Sequence, residues 1–365
     1  MVWPLVKLIP KKTHFGFVRF AFFASFASIL LVLASFGSMI SAGYRESPIT
    51  LYEQATGSPM DRVGAVLNRG FNLGIDFTGG TLLEIRAPDP IDIGRLREEL
   101  HPLDTREIQV QGFQDPHNAM VRLPPQQTEG DSSMERARAV IQETVPGVTF
   151  GRAEAVGPKV SGELFLNSLI SLGLAMILVM AYIWMRFDFQ FGVGAVLSLF
   201  HDAILTLGIF SFFRIEFTLP VIAALLTVIG YSMNDTVVVF DRMRENFRKY
   251  KTMPPPEVID LSINETLSRT LMTIGTVLIA SLALYIWGGE TMRAFAICML
   301  FGTVVATYSS IYIAAPALPL FGDRPETTMQ FADQFRLLQL LQLFQVRTGV
   351  VRTGGVAQQI DHAVD

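Results

Sequence analysis

Charge is scarce in this sequence, and thiols are scarcer. Asp, Glu, Lys and Arg make up 17% of its 365 residues, and Cys298 is the single cysteine. One thiol excludes an intrachain disulfide and a multi-thiolate metal site. Within its apolar run, Cys298 reads as a small buried apolar residue. A 50% hydrophobic content and a mean hydropathy of +0.39 exclude an ordinary soluble globule and point to a bilayer. The 29 basic and 33 acidic residues nearly cancel, and the basic ones gather in a few short polar stretches, so net charge marks no nucleic-acid partner. HExxH, GxGD and GxSxG patterns are also missing. An intramembrane protease is left with only Asp202 and Asp235 as an acid pair to build on.

What is present in quantity is uncharged apolar sequence. Stretches of about twenty residues, the length that crosses ~30 Å of hydrocarbon, lie near 20–40, 165–185, 191–213, 218–240, 270–287 and 294–318. The first follows Lys7, Lys11 and Lys12 and ends at Ser41-Ala42-Gly43, as a cleaved signal would, but its apolar core exceeds the usual ~7–15 residues. Short-loop charge then sets orientation. Lys7, Lys11, Lys12 and Arg19 precede helix 1, Arg186 follows helix 2, and Arg242, Arg244, Arg248, Lys249 and Lys251 follow helix 4. The opposing short loops hold only Arg214 with Glu216, and Glu290 with Arg293. The expectation is a polytopic α-helical membrane protein with six transmembrane helices and both termini cytoplasmic. Residues 1–19 form the N-terminus, 20–40 helix 1, 41–164 an extracytoplasmic domain, 165–320 helices 2–6 and 321–365 a cytoplasmic tail. Arg45, just outside helix 1, is a mild exception.

The segment between helices 1 and 2 holds roughly 120 residues, enough for a domain. Thr81–Arg86, Glu107–Phe113, Ala119–Leu123 and Val148–Ala155 read as strands. Ile91–Leu100 and Met134–Thr144 read as helices, the second capped by Ser132 or Ser133. The order βαββαβ is the split-βαβ, ferredoxin-like α+β unit. Between helices 4 and 5, Pro254-Pro255-Pro256 leads into Glu257–Arg269, an amphipathic cytoplasmic entry to helix 5. In the tail, Phe335–Phe344 has the Leu-rich face of an interfacial helix, and the remainder to Asp365 shows no period.

Two sets of residues carry candidate function. Gly74-Ile-Asp-Phe-Thr-Gly-Gly80 precedes a strand rather than joining a strand to a helix. A sharp turn with positive φ among Gly74, Gly79 and Gly80 is therefore expected in place of a phosphate cradle. Asp76 would accept backbone N–H groups within that turn. The second set is intramembrane, where an ionised residue costs roughly 2.5–3.5 kcal/mol on insertion scales. His201 and Asp202 share a small face of helix 3 with Gly194 and Ser198, and Asp235 lies in helix 4 with Tyr231 one turn before it and Asn234 beside it. Arg269 opens helix 5 above Thr273 and Thr276, while Gly302, Ala306, Ser309 and Ser310 let helix 6 approach a neighbour closely. His201 and Asp202 suit a structural hydrogen bond as well as they suit proton handling. Asp235 points to function, and Arg269 at a helix end can simply snorkel.

Four segments, in order, resemble the SecD/SecF family of protein-export membrane proteins on its SecF branch. They are GIDFTGGTLLEI at 74–85, VGPKVSGEL at 156–164, VIGYSMNDTVVVFDRMRENFRK at 228–249 and ETLSRTLMTIGTVLIASLALYIWGG at 265–289. The resemblance implies a bacterial inner-membrane protein, a half-size relative of the resistance-nodulation-division transporters, that pairs with SecD to make a pseudo-symmetric bundle. It implies work on the outer side of the SecYEG channel, with YajC and YidC as further partners, in which the proton gradient helps preproteins finish crossing. No bond is made or broken and no cofactor or metal is called for. It also raises Arg269 to the partner of Asp235, about five residues from the expected end of helix 4, in proton coupling. A proton-coupled exporter of small molecules or lipids from the wider transporter family would share the helices. Such exporters carry two large outer domains, and the short loop Phe213–Leu219 leaves no room for a second.

Overall fold

Away from water, a backbone must pair its own polar groups, and the helix is the local way to do so. The computed structural model describes residues 13–41, 70–101, 108–113, 115–124 and 133–317. In chain order, α1 (Phe17–Ser41) is followed by β1 (Asn72–Leu73), the single turn α2 (Ile75–Thr78), β2 (Gly80–Arg86), α3 (Ile93–Leu100), β3 (Gln109–Gly112), β4 (Asn118–Leu123), α4 (Ser133–Thr144) and β5 (Thr149–Val156). Then come α5 (Pro158–Arg186), α6 (Phe189–Phe212), β6 (Glu216–Phe217), α7 (Leu219–Lys249), α8 (Pro255–Trp287) and α9 (Gly289–Ser309), which runs into a π-helical segment at Ser310–Ala314. Six of these helices are long and apolar enough to cross a membrane.

The apolar runs find their helices, but the ends differ from the expectation. The basic stretch Arg242–Lys249 continues α7, and Glu257–Arg269 is one uninterrupted piece of α8. The reason lies in the pairing of polar groups between the two helices. Arg242 Nε donates to Glu265 Oε2 at 2.7 Å, and Asn246 Nδ2 donates to the same oxygen at 2.8 Å and to Ser262 Oγ at 3.0 Å. Pro255 sits in the first turn of α8, where its missing N–H costs nothing. Arg45, Ser132 and Phe335–Phe344 lie outside the described residues.

Burial separates inner from outer helices. Of the most apolar window in each, 61% is buried in α6 and 56% in α7 and in α9, against 17%, 11% and 17% in α1, α5 and α8. The inner three are held close by small residues: a Cβ added at Gly302 on α9 would come within 2.6 Å of Val228 Cγ2 on α7. α1 backs onto α6, and α8 lies against α7 and α9.

The second layer is a four-stranded antiparallel sheet in the order β3-β4-β2-β5. Alternate residues of β4 are buried, as period 2 requires. Its core of Leu83, Ile85, Leu96, Leu100, Val121 and Ile141 joins the sheet to α3 and α4, each such side chain contributing about 1.5–3 kcal/mol. A separate short pairing is parallel: Asn72 and Leu73 of β1 lie against Glu216 and Phe217 of β6.

Candidate functional site

The glycine motif is built by its own backbone. Ile75 and Phe77 are buried, which folds Ile75–Thr78 into a single helical turn. Gly79 and Gly80 then take φ of 71° and 118°, where an L side chain is strained. A Cβ at Gly80 would also run into the Leu123 carbonyl. Asp76 does not serve the turn as expected. The N–H groups of Phe77 and Thr78 already donate to Gly74 O, and that of Gly79 to Ile75 O. The Asp76 carboxylate instead reaches out of the motif and accepts the N–H of Leu219, the first residue of α7, at 2.8 Å. Gly74 allows this close approach: its N–H donates to Phe217 O at 2.9 Å, and a Cβ there would meet Thr218 Cγ2 at 2.9 Å. Beside the motif, Arg122 bonds Thr78 Oγ1 and lies 3.8 Å from Glu216. Burial pushes the Glu216 carboxyl above its usual range; Arg122 opposes the shift, and the Asp76 and Glu154 charges add to it.

Within the bundle, Asp202 is fully buried and its acceptors are filled from three helices. Oδ2 accepts from Ser232 Oγ on α7 at 2.5 Å and from Ser309 Oγ on α9 at 2.8 Å, while Oδ1 lies 3.0 Å from His201 Nδ1. Ser198 Oγ donates to Ser309 Oγ at 2.9 Å. His201 Nε2 is buried without a partner among the described residues, with the Tyr308 ring 6.1 Å away, centroid to centroid. The π-helical segment begins beside Ser309, and its Ser310 pairs with Thr236 at 2.9 Å. The cluster is thus a closed knot of α6, α7 and α9.

Asp235 and Arg269 are arranged differently. Asp235 lies fourteen residues before the end of α7, and Arg269 fourteen residues after the start of α8. Each is about 21 Å from the turn joining these helices, deeper than the sequence suggested because both helices are longer. Their depths match. Arg269 is near enough for its charge to act on Asp235, yet no hydrogen bond or ion pair to Asp235 is found among the described residues. Tyr231, Asn234 and Arg269 are exposed, and a Cβ at Gly230 or Gly275 would meet nothing within 4 Å. Thr273 and Thr276 turn their hydroxyls back onto α8 carbonyls. A polar, small-residue stripe on α7 and α8 therefore faces away from the rest of the described residues.

Several contributors carry little or no mark in the sequence. Asp260 Oδ1 accepts the Val18 N–H at 2.9 Å, and Asn264 clamps both backbone groups of Phe15, fastening the start of α1 to α8. The amphipathic period of 257–269 was the one available signal. Ser232, Arg122 and Glu216 carried none. Among the described residues, no group of three or more His, Cys, Asp or Glu side chains could hold a metal ion.

This geometry can be set beside known proteins. The profile described as "Protein export membrane protein SecD/SecF, C-terminal" matches residues 137–324, and that of the "SecD/SecF GG Motif" matches 64–87. The chain belongs to the SecD/SecF family. It is 39% identical to the protein translocase subunit SecF of Rhodobacter capsulatus, covering 90% of this chain and 96% of that one. It is 45% identical to SecF of Cereibacter sphaeroides over 74% and 87% of the two chains. The crystal structure of SecDF, a translocon-associated membrane protein from Thermus thermophilus, superposes with a TM-score of 0.71 at 32% identity. That match covers 88% of this chain and 40% of SecDF. As a family member the chain is a multi-pass subunit of protein-export machinery.

Proposed function

We propose that this chain pairs with SecD through the open stripe of α7 and α8, and that the pair uses the proton gradient to help preproteins leave the SecYEG channel. The observation that carries the reading is the stripe itself. Asn234, Tyr231 and Arg269 are polar groups at membrane depth left uncovered by the described residues, and lipid is a costly neighbour for them. A second helical half supplies the cover. SecDF of Brucella abortus, 38% identical over 88% of this chain, is long enough that the match fills only 39% of it, which fits a partner carried on the same polypeptide.

In this reading Asp235 takes up and releases the proton, and Arg269, always charged, is its fixed partner. Burial favours a neutral carboxyl and a guanidinium favours a charged one, so a small change in their separation decides which form is held. One charge moving through ~100 mV supplies about 2.3 kcal/mol, enough to bias two alternative helix packings. The sheet domain lies outside the cytoplasm, both termini lie inside, and the order β3-β4-β2-β5 fits a ferredoxin-like unit. His201 and Asp202 are a fastening between helices.

A photo-reactive residue at position 234 tests the pairing in native membranes, with one at Leu174 on the exposed face of α5 as the control. Position 234 is expected to give an adduct with SecD, and position 174 lipid adducts only. Absence of a SecD adduct at 234 would overturn the assigned interface.

A further inference from the structure

We propose that Asp76 is a positioning residue that caps α7 from the outer domain and so passes the domain's position to Asp235; the inference rests on the role proposed for Asp235. A helix begins with backbone N–H groups that have no partner, and Ser, Thr, Asp or Asn just before it usually supplies one. In α7 that place belongs to Thr218, whose side chain makes no cap bond and whose Oγ1 is buried without a partner among the described residues. Pro220, next after Leu219, has no N–H at all. The Leu219 N–H is the first free donor of the helix, and Asp76 takes it at 2.8 Å. A carboxylate there also complements the positive end of the helix dipole.

The contact is one of a row. Asn72 Nδ2 donates to Arg214 O at 3.1 Å, Gly74 N to Phe217 O at 2.9 Å, and Ser211 Oγ to Gly70 O at 2.8 Å. Residues 70–76 are thus fastened along 211–219. On one side the row continues through Gly79 and Gly80 into β2, the strand paired on both edges within the sheet. On the other it enters α7, an unbroken helix in which Asp235 lies about 24 Å further along. Movement of the sheet domain pulls on the end of the helix that carries the proton-responsive carboxylate.

The test separates a cap from a transmitter by restoring the cap locally. Hydrogen exchange at the first turn of α7 and gradient-dependent export are both measured on the full chain assembled with SecD. Asp76→Ala should speed exchange at Val221 and Ile222 about tenfold, the loss of one charge-assisted bond, and lower gradient-dependent export about fivefold or more. Adding Thr218→Asp supplies a carboxylate cap from α7's own chain, which accepts the Val221 N–H because Pro220 has none. Protection should return and export should not. Return of both, or normal export by Asp76→Ala, would reduce Asp76 to a structural cap and overturn the proposal. Asp235→Asn run alongside keeps the two ideas apart: an undiminished gradient response there removes Asp235 from the mechanism, while the exchange result at α7 stands on its own.

Discussion

Asp202 and Asp235 both lie well inside their helices, away from the ends, and their surroundings are opposites. Asp202 is sealed among Ser232, Ser309 and His201, whereas Asp235 has no hydrogen-bond partner among the described residues and sits beside an uncovered stripe. A buried carboxylate with both oxygens bonded gains most from staying as it is, since each lost partner strands a group in low dielectric. One with a charge nearby and no filled acceptor can change state at smaller cost. Burial alone therefore does not separate the two carboxyls; the degree of satisfaction does.

The comparison breaks first if Asp202 proves dispensable. Asp202→Ala strips Ser232 and His201 of their carboxylate partner and Ser309 of one of its two acceptors, and the chain should lose about 3 kcal/mol of stability, read as a lower unfolding midpoint in detergent. Asp202→Asn keeps an acceptor and should lose less than half as much.

Glycine gives the next contrast. Gly302→Leu drives a side chain into Val228 across the closed α7–α9 contact and should cost about 1–3 kcal/mol. Gly230→Leu projects into open space and should leave the isolated chain as stable as before, within ~0.5 kcal/mol, while lowering recovery of SecD in co-purification.

How much of this could be read beforehand follows from the range of each interaction. Six apolar runs and the periods of the sheet domain are local, and the element types came from them. The helix ends were not local: Arg242 and Asn246 reach Glu265 on the next helix, so residues that look like a solvated loop stay helical. Asp76 was legible as an acceptor but not as the acceptor of Leu219, because the turn's own donors are used up by its backbone and the partner is 143 residues away. Ser232 and Ser309, on separate helices from Asp202, follow no sequence period that links them. Gly79 and Gly80 fared better, since both hold the positive φ that a glycine pair before a strand suggests.

A smaller effect separates the membrane carboxyls from one at the joint with the sheet domain. Glu216 titrates in the folded chain above the ordinary carboxyl value of 4.5, chiefly through burial. The folded state takes up its proton at a higher pH than the unfolded chain does. Its contribution is complete below about 4.5 and is lost as pH rises through the folded value. Lowering pH from 7 to 5 should raise the unfolding midpoint by more in the native chain than in Glu216→Gln.

The smallest change in stability is expected at Asp235, and the largest change in function. Asp235→Asn is nearly isosteric and breaks no hydrogen bond, so the unfolding midpoint and SecD recovery should stay at native levels. The decisive measurement is preprotein export by that assembled complex with and without an imposed proton gradient. The gradient-dependent increment is expected to disappear in Asp235→Asn, and likewise in Arg269→Gln, while gradient-independent export persists. An increment of native size in Asp235→Asn would contradict that expectation.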